Sequence, residues 1–435
     1  MNYTYKNIWL ISYPVMMSVL MEQLLNITDA IFLGHVGETE LGASAIAGIY
    51  YLGIYMLGFG FCIGLQVMIA RRNGEQNYAD TGKAFFQGLW FLISLSILLL
   101  LLSKYISPLI LRQLIQSDEI YTAVIKYTDW RCFGLLFAFP ALAFRAFFVG
   151  ITRTQTLAVN AVIMVVANVG LNYLLIFGKA GFPQLGITGA ALASTVSELL
   201  SLLIFIVYTL LNIDRRRYGL TPVFHWNTLH EVLNVSIWSM MHAFISVAPW
   251  LLFFISIEHL GKNELAVANI IRSISAMFFV IVSALASVTS SLVSNLVGAG
   301  ERDKIKPLCM KVIGLGYGIG IPLIFMVIIF HNAVIGIYTD NRILMEKAFV
   351  PFLVMLSNYL LAVPAMVYLN AVAGLGATRK AFIFQVITII FYLLYLSLLN
   401  SIPNTPLAVY CSVEHLFVTI LFILSLIYLR RNSRS

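Results

Sequence analysis

Twelve apolar runs, each about as long as a bilayer is thick, recur along this chain of 435 residues, and they leave few folds open. In hydrocarbon every backbone N–H and C=O must find a partner within the protein, which favours helices. The predicted spans cover 8–33, 43–70, 84–103, 128–150, 157–178, 187–212, 232–258, 265–296, 308–330, 349–373, 381–401 and 405–430. The composition agrees: 60% of residues are hydrophobic, 11% are charged and the mean hydropathy is +0.91. Soluble domains carry about 25% charge. The expected class is therefore an all-α membrane protein with the lipid bilayer as its first partner. The run that begins at Ile8 continues well past a short signal-peptide core, so it reads as an uncleaved first span.

The formal charge of +8 reads as topology before any affinity for nucleic acid, and no nucleic-acid partner is expected. With the N-terminus inside, the inner segments hold Lys6, Arg71, Arg72, Lys83, Arg153, Arg215, Arg216, Arg217, Arg302, Lys304, Lys306, Lys311, Arg379, Lys380, Arg430, Arg431 and Arg434, which makes 17. The outer loops hold Lys104, Arg112, Lys126, Lys179, Lys262, Arg342 and Lys347, which makes 7. Arg131, Arg145 and Arg272 fall within spans or at their ends and are left out of both sums. The excess predicts that both termini are cytoplasmic in a plasma (inner) membrane. Cys62, Cys132, Cys309 and Cys411 lie apart in apolar surroundings and read as small buried hydrophobes.

The chain also repeats itself. A shift of 224 places Ser12 on Ser236, His35-Val36-Gly37 on His259-Leu260-Gly261, Gly74 on Gly298, Pro140 on Pro364 and Gly150 on Gly374. This predicts two six-helix bundles: 1–211, then a basic cytoplasmic linker at 212–230, then 231–435. Six spans per bundle give both the same orientation, so their pseudo-two-fold axis runs along the membrane normal, as in parallel-repeat transporters. A cleft between the bundles and alternating access are the expected consequences.

Charge inside a span is costly and marks function by default. Asp29 in the first span is the first candidate, roughly 6 Å from its outer end at 1.5 Å per residue. Asn168 and Asn172 share a face of the fifth span, and Ser194 and Thr195 lie at similar depth in the sixth. Together they predict an oxygen-rich site for H⁺ or Na⁺ in the first bundle, with Asp29, Asn168 and Asn172 as the Na⁺ ligands. The alternative reading of the amides and Ser194 is interhelical hydrogen bonding. In the second repeat Phe253 stands where Asp29 stands in the first, so only one bundle carries this charge. Pro14 predicts a kink or hinge in the first span. Cavity candidates are Glu22, Tyr55, Arg145, Glu198, His242 and Arg272, with Arg145 a possible partner of Glu22. Glu414 and His415 sit in the last span with roles left between hydrogen bonding and proton handling. No HExxH, GxSxG or GxxxxGK[ST] is present, which argues against an enzyme.

The stretches LLNITDAIFLGHVG, GITRTQ and its counterpart GLGATR, NVGLNYLLIFG and GITGAALAS resemble the MATE (multidrug and toxic compound extrusion) transporters. The resemblance covers nearly all of both halves. It implies a secondary antiporter, working as a monomer with no cofactor, that exports cationic or amphipathic small molecules in exchange for H⁺ or Na⁺. By position Asp29 matches the family's first-helix carboxylate, Asn168, Asn172 and Ser194 match the rest of its cation site, and Pro14 matches a proline proposed to bend on protonation. The chain departs from the pattern at Asn172, where some members have Asp. Ser246 and Ala362 lie near places where one branch carries acids, with Asn370 further on. These departures place the chain closer to the DinF-like branch than to the NorM-like branch. The alternative function is a flippase for a lipid-linked or amphipathic anion, which needs unpaired cations such as Arg145 and Arg272 in the cleft.

Overall fold

A computed structural model describes residues 3–115, 117–339 and 341–432, so Arg434, counted above among the inner cations, lies outside the described residues. Every regular element among them is helical. Twelve helical stretches are long and apolar enough to cross a membrane. The first three are single helices: α1 (Tyr5–Gly34), α2 (Glu38–Gly74) and α3 (Tyr78–Leu114). The fourth consists of α4 (Asp118–Arg131), a 3-10 turn (Cys132–Gly134) and α5 (Leu135–Gly150). Then come α6 (Gln155–Phe177) and α7 (Ile187–Asn212). The seventh is divided into α8 (Trp226–Ile245) and α9 (Ala248–Glu258). The rest are α10 (Lys262–Gly298), α11 (Ile305–Ile329), a short α12 (His331–Gly336), α13 (Arg342–Gly374), α14 (Thr378–Ser401), and the pair α15 (Leu407–Cys411) and α16 (Val413–Asn432).

Several helices run beyond their predicted limits, α3 to Leu114 rather than 103 among them, and two of the changes bear on the site and the linker. The fourth span begins at Asp118 rather than 128, because α4 is too polar for an apolar-run criterion to catch. Its start is well marked: Ser117 Oγ accepts from the Ile120 N–H at 3.4 Å, and Asp118 and Glu119 occupy the positive end of the helix dipole. The seventh span starts at Trp226 and breaks before α9, where Pro249 sits in the first turn, the one place in a helix where a missing N–H costs nothing. Part of the predicted 212–230 linker is therefore helical. The remainder is pinned to α3: Tyr218 is buried, meets the Tyr78 ring edge-on at 5.5 Å, and Arg217 lies 4.3 Å over Tyr78. Pro14 does not interrupt α1, which continues to Gly34.

The chain forms two compact units, Met17–Phe244 and Met1–Met16 with Ile245–Ser435. The 224-residue shift is visible in the packing of each. In the first, α2 spans Glu38–Gly74 and a Cβ on Gly150 would lie 2.6 Å from Ile69 Cγ2. In the second, α10 spans Lys262–Gly298 and a Cβ on Gly374 would lie 2.9 Å from Val293 Cβ. All of these positions correspond under the one shift. Membrane helices gain little from the hydrophobic effect once inserted, so close approach at small residues is what holds them together. The repeat therefore preserves the contact glycine.

Candidate ion site and its charged neighbours

The site lies in Met17–Phe244. Asp29 is five residues before the end of α1. Its Oδ1 accepts a hydrogen bond from Asn172 Nδ2 at 2.5 Å, and its Oδ2 accepts one from Ser194 Oγ at 3.0 Å. Asn172 Nδ2 also donates to Asn168 Oδ1 at 3.0 Å, and Asn168 Nδ2 donates to Ser194 Oγ at 3.2 Å. The four side chains thus close a ring of hydrogen bonds. Asn168 and Asn172 are fully buried and Ser194 nearly so, whereas Asp29 is half-buried. The ring fixes each amide: turned over, Asn172 would put its oxygen against the carboxylate. Asn172 Oδ1 is left buried without a hydrogen-bond partner. Thr195 is not part of the ring; its hydroxyl donates to the Trp130 carbonyl at 3.1 Å, so it ties α7 to α4 instead.

Local sequence explains the geometry. Asn168 and Asn172 are one turn apart on α6, so both face α7. Gly189 permits the approach of those helices: a Cβ there would come 2.7 Å from the Leu175 carbonyl oxygen. Beside the site, Leu33, Ala43, Ala47, Val124, Ile176, Ile187 and Ala190 form one buried apolar cluster drawn from α1, α2, α4, α6 and α7. It holds the end of α1 against its neighbours and keeps Asp29 in register with the amides.

Two ion pairs, one buried and one with its Glu partly exposed, flank a row of rings on α2. Arg131 makes a two-pronged contact with Glu198, Nη1 to Oε2 and Nη2 to Oε1, each 2.8 Å. Tyr51 donates its hydroxyl to Glu198 Oε1 at 3.1 Å, and the Arg131 guanidinium lies 3.7 Å over the Tyr51 ring. Gly134 leaves the space for this pair, since a Cβ there would strike both Glu198 Oε2 and Arg131 Nη1. Tyr55 stacks between Tyr51 at 6.2 Å and Phe59 at 6.4 Å. Beyond Phe59, Arg145 Nη1 donates to Glu22 Oε1 at 2.8 Å, the pairing the sequence suggested.

The other cavity candidates go elsewhere. His242 on α8 is half-buried, and Arg272 on α10 is exposed, 4.9 Å over the Phe254 ring. None of the six lines the two surface pockets, of about 360 and 340 Å³, that lie around His225 and Glu231. Sequence reasoning missed Arg131; it offers Tyr51 only as a ring that could line the cleft, not as a partner of Glu198. With a fourth span from 128, Arg131 reads as a span-end cation; Ser117 followed by two acids is the signal that extends the helix back to Asp118. Among the described residues no cluster of three His, Cys, Asp or Glu side chains is present, so one carboxylate among neutral oxygens is the whole charge of the ring.

Comparison with known proteins agrees with this arrangement. The chain is 26% identical to a probable multidrug resistance protein NorM of Rhizobium meliloti, over 76% of this chain and 71% of that one. It is 24% identical to a probable multidrug resistance protein NorM of Photorhabdus laumondii, over 81% of this chain and 78% of that one. A solved outward-facing MATE transporter of the MOP superfamily superposes with a TM-score of 0.86 at 18% identity, covering 99% of this chain and 96% of that chain. The MatE family model matches twice, at residues 14–174 and 239–399, each match falling on one repeat. Matched over most of its length and in both repeats, this chain belongs to the MatE family.

Proposed function

We propose that this protein is a multidrug efflux transporter that exports cationic or amphipathic small molecules in exchange for an ion, with Asp29 as the coupling group. It is not an enzyme. The observation that carries the reading is the closed ring on Asp29: a membrane carboxylate, satisfied only by neutral donors, that can change occupant without leaving a charge unpaired beside it. A ligand that moves the carrier must bind its two states unequally, and occupation of this ring is the proposed source of that difference.

The geometry favours H⁺ over Na⁺. A hydroxyl both donates and accepts, so a proton arriving on Asp29 Oδ2 is accommodated by Ser194 reversing its role, with no heavy atom displaced. Sodium needs several oxygens to turn lone pairs to it at once, and although Asn172 Oδ1 has no hydrogen-bond partner, Asn172 Nδ2 and Ser194 Oγ present donors to the carboxylate. Asn172 and Ser194 would have to turn away first, which leaves Na⁺ as the second choice. The carboxylate's place in the first repeat, with Phe253 at the matching position, supports coupling in that half. The two relatives described above carry NorM names, so a DinF-like placement has no support from them. Both termini are placed in the cytoplasm by the cationic asymmetry alone, and the transporter is taken to act as a monomer. The bundle limits 1–211 and 231–435 remain the proposed repeat limits.

The flippase alternative loses Arg145, which is tied to Glu22, while Arg272, the other cation it called on, is exposed over the Phe254 ring and forms no ion pair among the described residues. The test is proton release. Adding ethidium to purified protein in weakly buffered detergent should release protons, and Asp29→Asn should release fewer. Equal release from the two proteins overturns the assignment.

A further inference from the structure

The ring on Asp29 uses one of the carboxylates inside spans, and two more are neutralised by arginines. Glu414 is different. It lies in the second residue of α16, in the unit that lacks an Asp29 counterpart, and it forms no ion pair among the described residues. Its one hydrogen-bond partner there is Tyr392 on α14, whose hydroxyl is 3.2 Å from Glu414 Oε1. Tyr392 is fully buried, and the same hydroxyl is 3.3 Å from the carbonyl oxygen of Pro249. Its ring is held edge-on by Phe417 at 5.8 Å, so the hydroxyl is not free to wander. The other titratable neighbour is Cys411 on α15; His415, next in sequence, is turned to Ser357 on α13 at 2.9 Å, and α9 offers only the Pro249 carbonyl.

We infer that Glu414 is a second proton-binding site and that Tyr392 transmits its state to the break in the seventh span. The argument is a count of hydrogens. A phenol carries one proton, and two acceptors compete for it. With Glu414 ionised, the charged oxygen takes the Tyr392 proton, because hydrogen bonds to a charged acceptor are the stronger kind. The Pro249 carbonyl then loses that donor. With a proton on Glu414, the carboxylic acid donates to Tyr392 Oη and the phenol proton passes to Pro249. A chain forms from Glu414 through Tyr392 to Pro249. Pro249 is the second residue of α9, just after the break at 246–247, so the proton tightens or releases the start of that half-helix. The inference rests on the antiport reading only for the identity of the ion.

The test is amide hydrogen exchange of 250–256, corrected for the intrinsic pH dependence of exchange, in wild type, Glu414→Gln and Tyr392→Phe. In wild type, protection should fall about fivefold as pH rises through the titration of Glu414, the factor worth of one neutral hydrogen bond. Glu414→Gln, whose amide can donate to Tyr392, should stay protected at all pH values. Tyr392→Phe should stay less protected at all pH values. The same pH dependence in all three proteins overturns the inference. Asp29→Asn should keep the wild-type exchange pattern, so a failed transport reading and a failed Glu414 site give different results. A protein that shows the switch but no gradient-driven efflux refutes only the antiport reading.

Discussion

Replacing Glu198 with Gln exposes how the ion pair beside the site is used. Arg131 and Glu198 meet through two 2.8 Å contacts with side chains only 12% and 14% exposed, so neither can turn to solvent. Removing one partner of such a pair leaves a buried charge and costs about 3–5 kcal/mol. Removing both leaves no orphan charge, and the penalty should fall to about 1–2 kcal/mol, mostly the lost Tyr51 hydrogen bond and the packing over its ring. Arg131→Gln combined with Glu198→Gln should therefore be more stable than Glu198→Gln alone, by about 2 kcal/mol or more. Equilibrium unfolding in mixed micelles, arranged as a double-mutant cycle, measures this directly. There is also a functional limb. The field of Arg131 already reaches Asp29, and without Glu198 its guanidinium loses the acid that holds it away from Asp29. Glu198→Gln should lose ethidium efflux and the double variant should regain a large part of it. Additive stabilities, or a double variant no more active than the single one, would refute the view that Glu198 keeps Arg131 off the ion site.

Other outcomes follow from the same contacts. Gly189→Ala puts a methyl 2.7 Å from backbone atoms of Leu175, so α6 and α7 must part by roughly 0.7 Å to reach ordinary contact, and the 3.2 Å Asn168–Ser194 bond between them stretches beyond useful range; efflux should fall more than thermal stability does. Gly134→Ala drives a methyl into the Arg131–Glu198 pair and should cost about 1–3 kcal/mol by overpacking, measured by the same unfolding assay. Burial pushes the Tyr3 hydroxyl, outside the spans, up to about 12 from an ordinary value near 10. The folded state then holds that proton more firmly than the unfolded one, so stability should decline from about pH 10 to about pH 12, and Tyr3→Phe should remove that part of the decline.

Much of the molecule was legible because it depends on patterns that a chain displays openly. The spans follow from apolar length, and the repeat from one constant shift, which the structure renders as matching helices α2 and α10 and matching glycines Gly150 and Gly374. The ring on Asp29 was legible by depth, since residues at similar distance from a helix end can meet across a bundle. Thr195 failed the same reasoning because depth says nothing about which way a helix face points. The Arg131–Glu198 pair was hidden for another reason. A polar first half, held by a cap and by packing, lengthens the fourth span beyond any hydropathy window. The break at Pro249 was equally invisible as a run, although proline in the first turn of a half-helix is its plain mark.

The central claim is that Asp29 carries the coupling ion. Its most direct test is ethidium transport in proteoliposomes with pH and Na⁺ gradients imposed separately, for wild type and Asp29→Asn incorporated at equal amounts. The account requires wild-type transport to follow the pH gradient and Asp29→Asn to show none under either gradient. Gradient-driven transport by Asp29→Asn at the wild-type rate would contradict it.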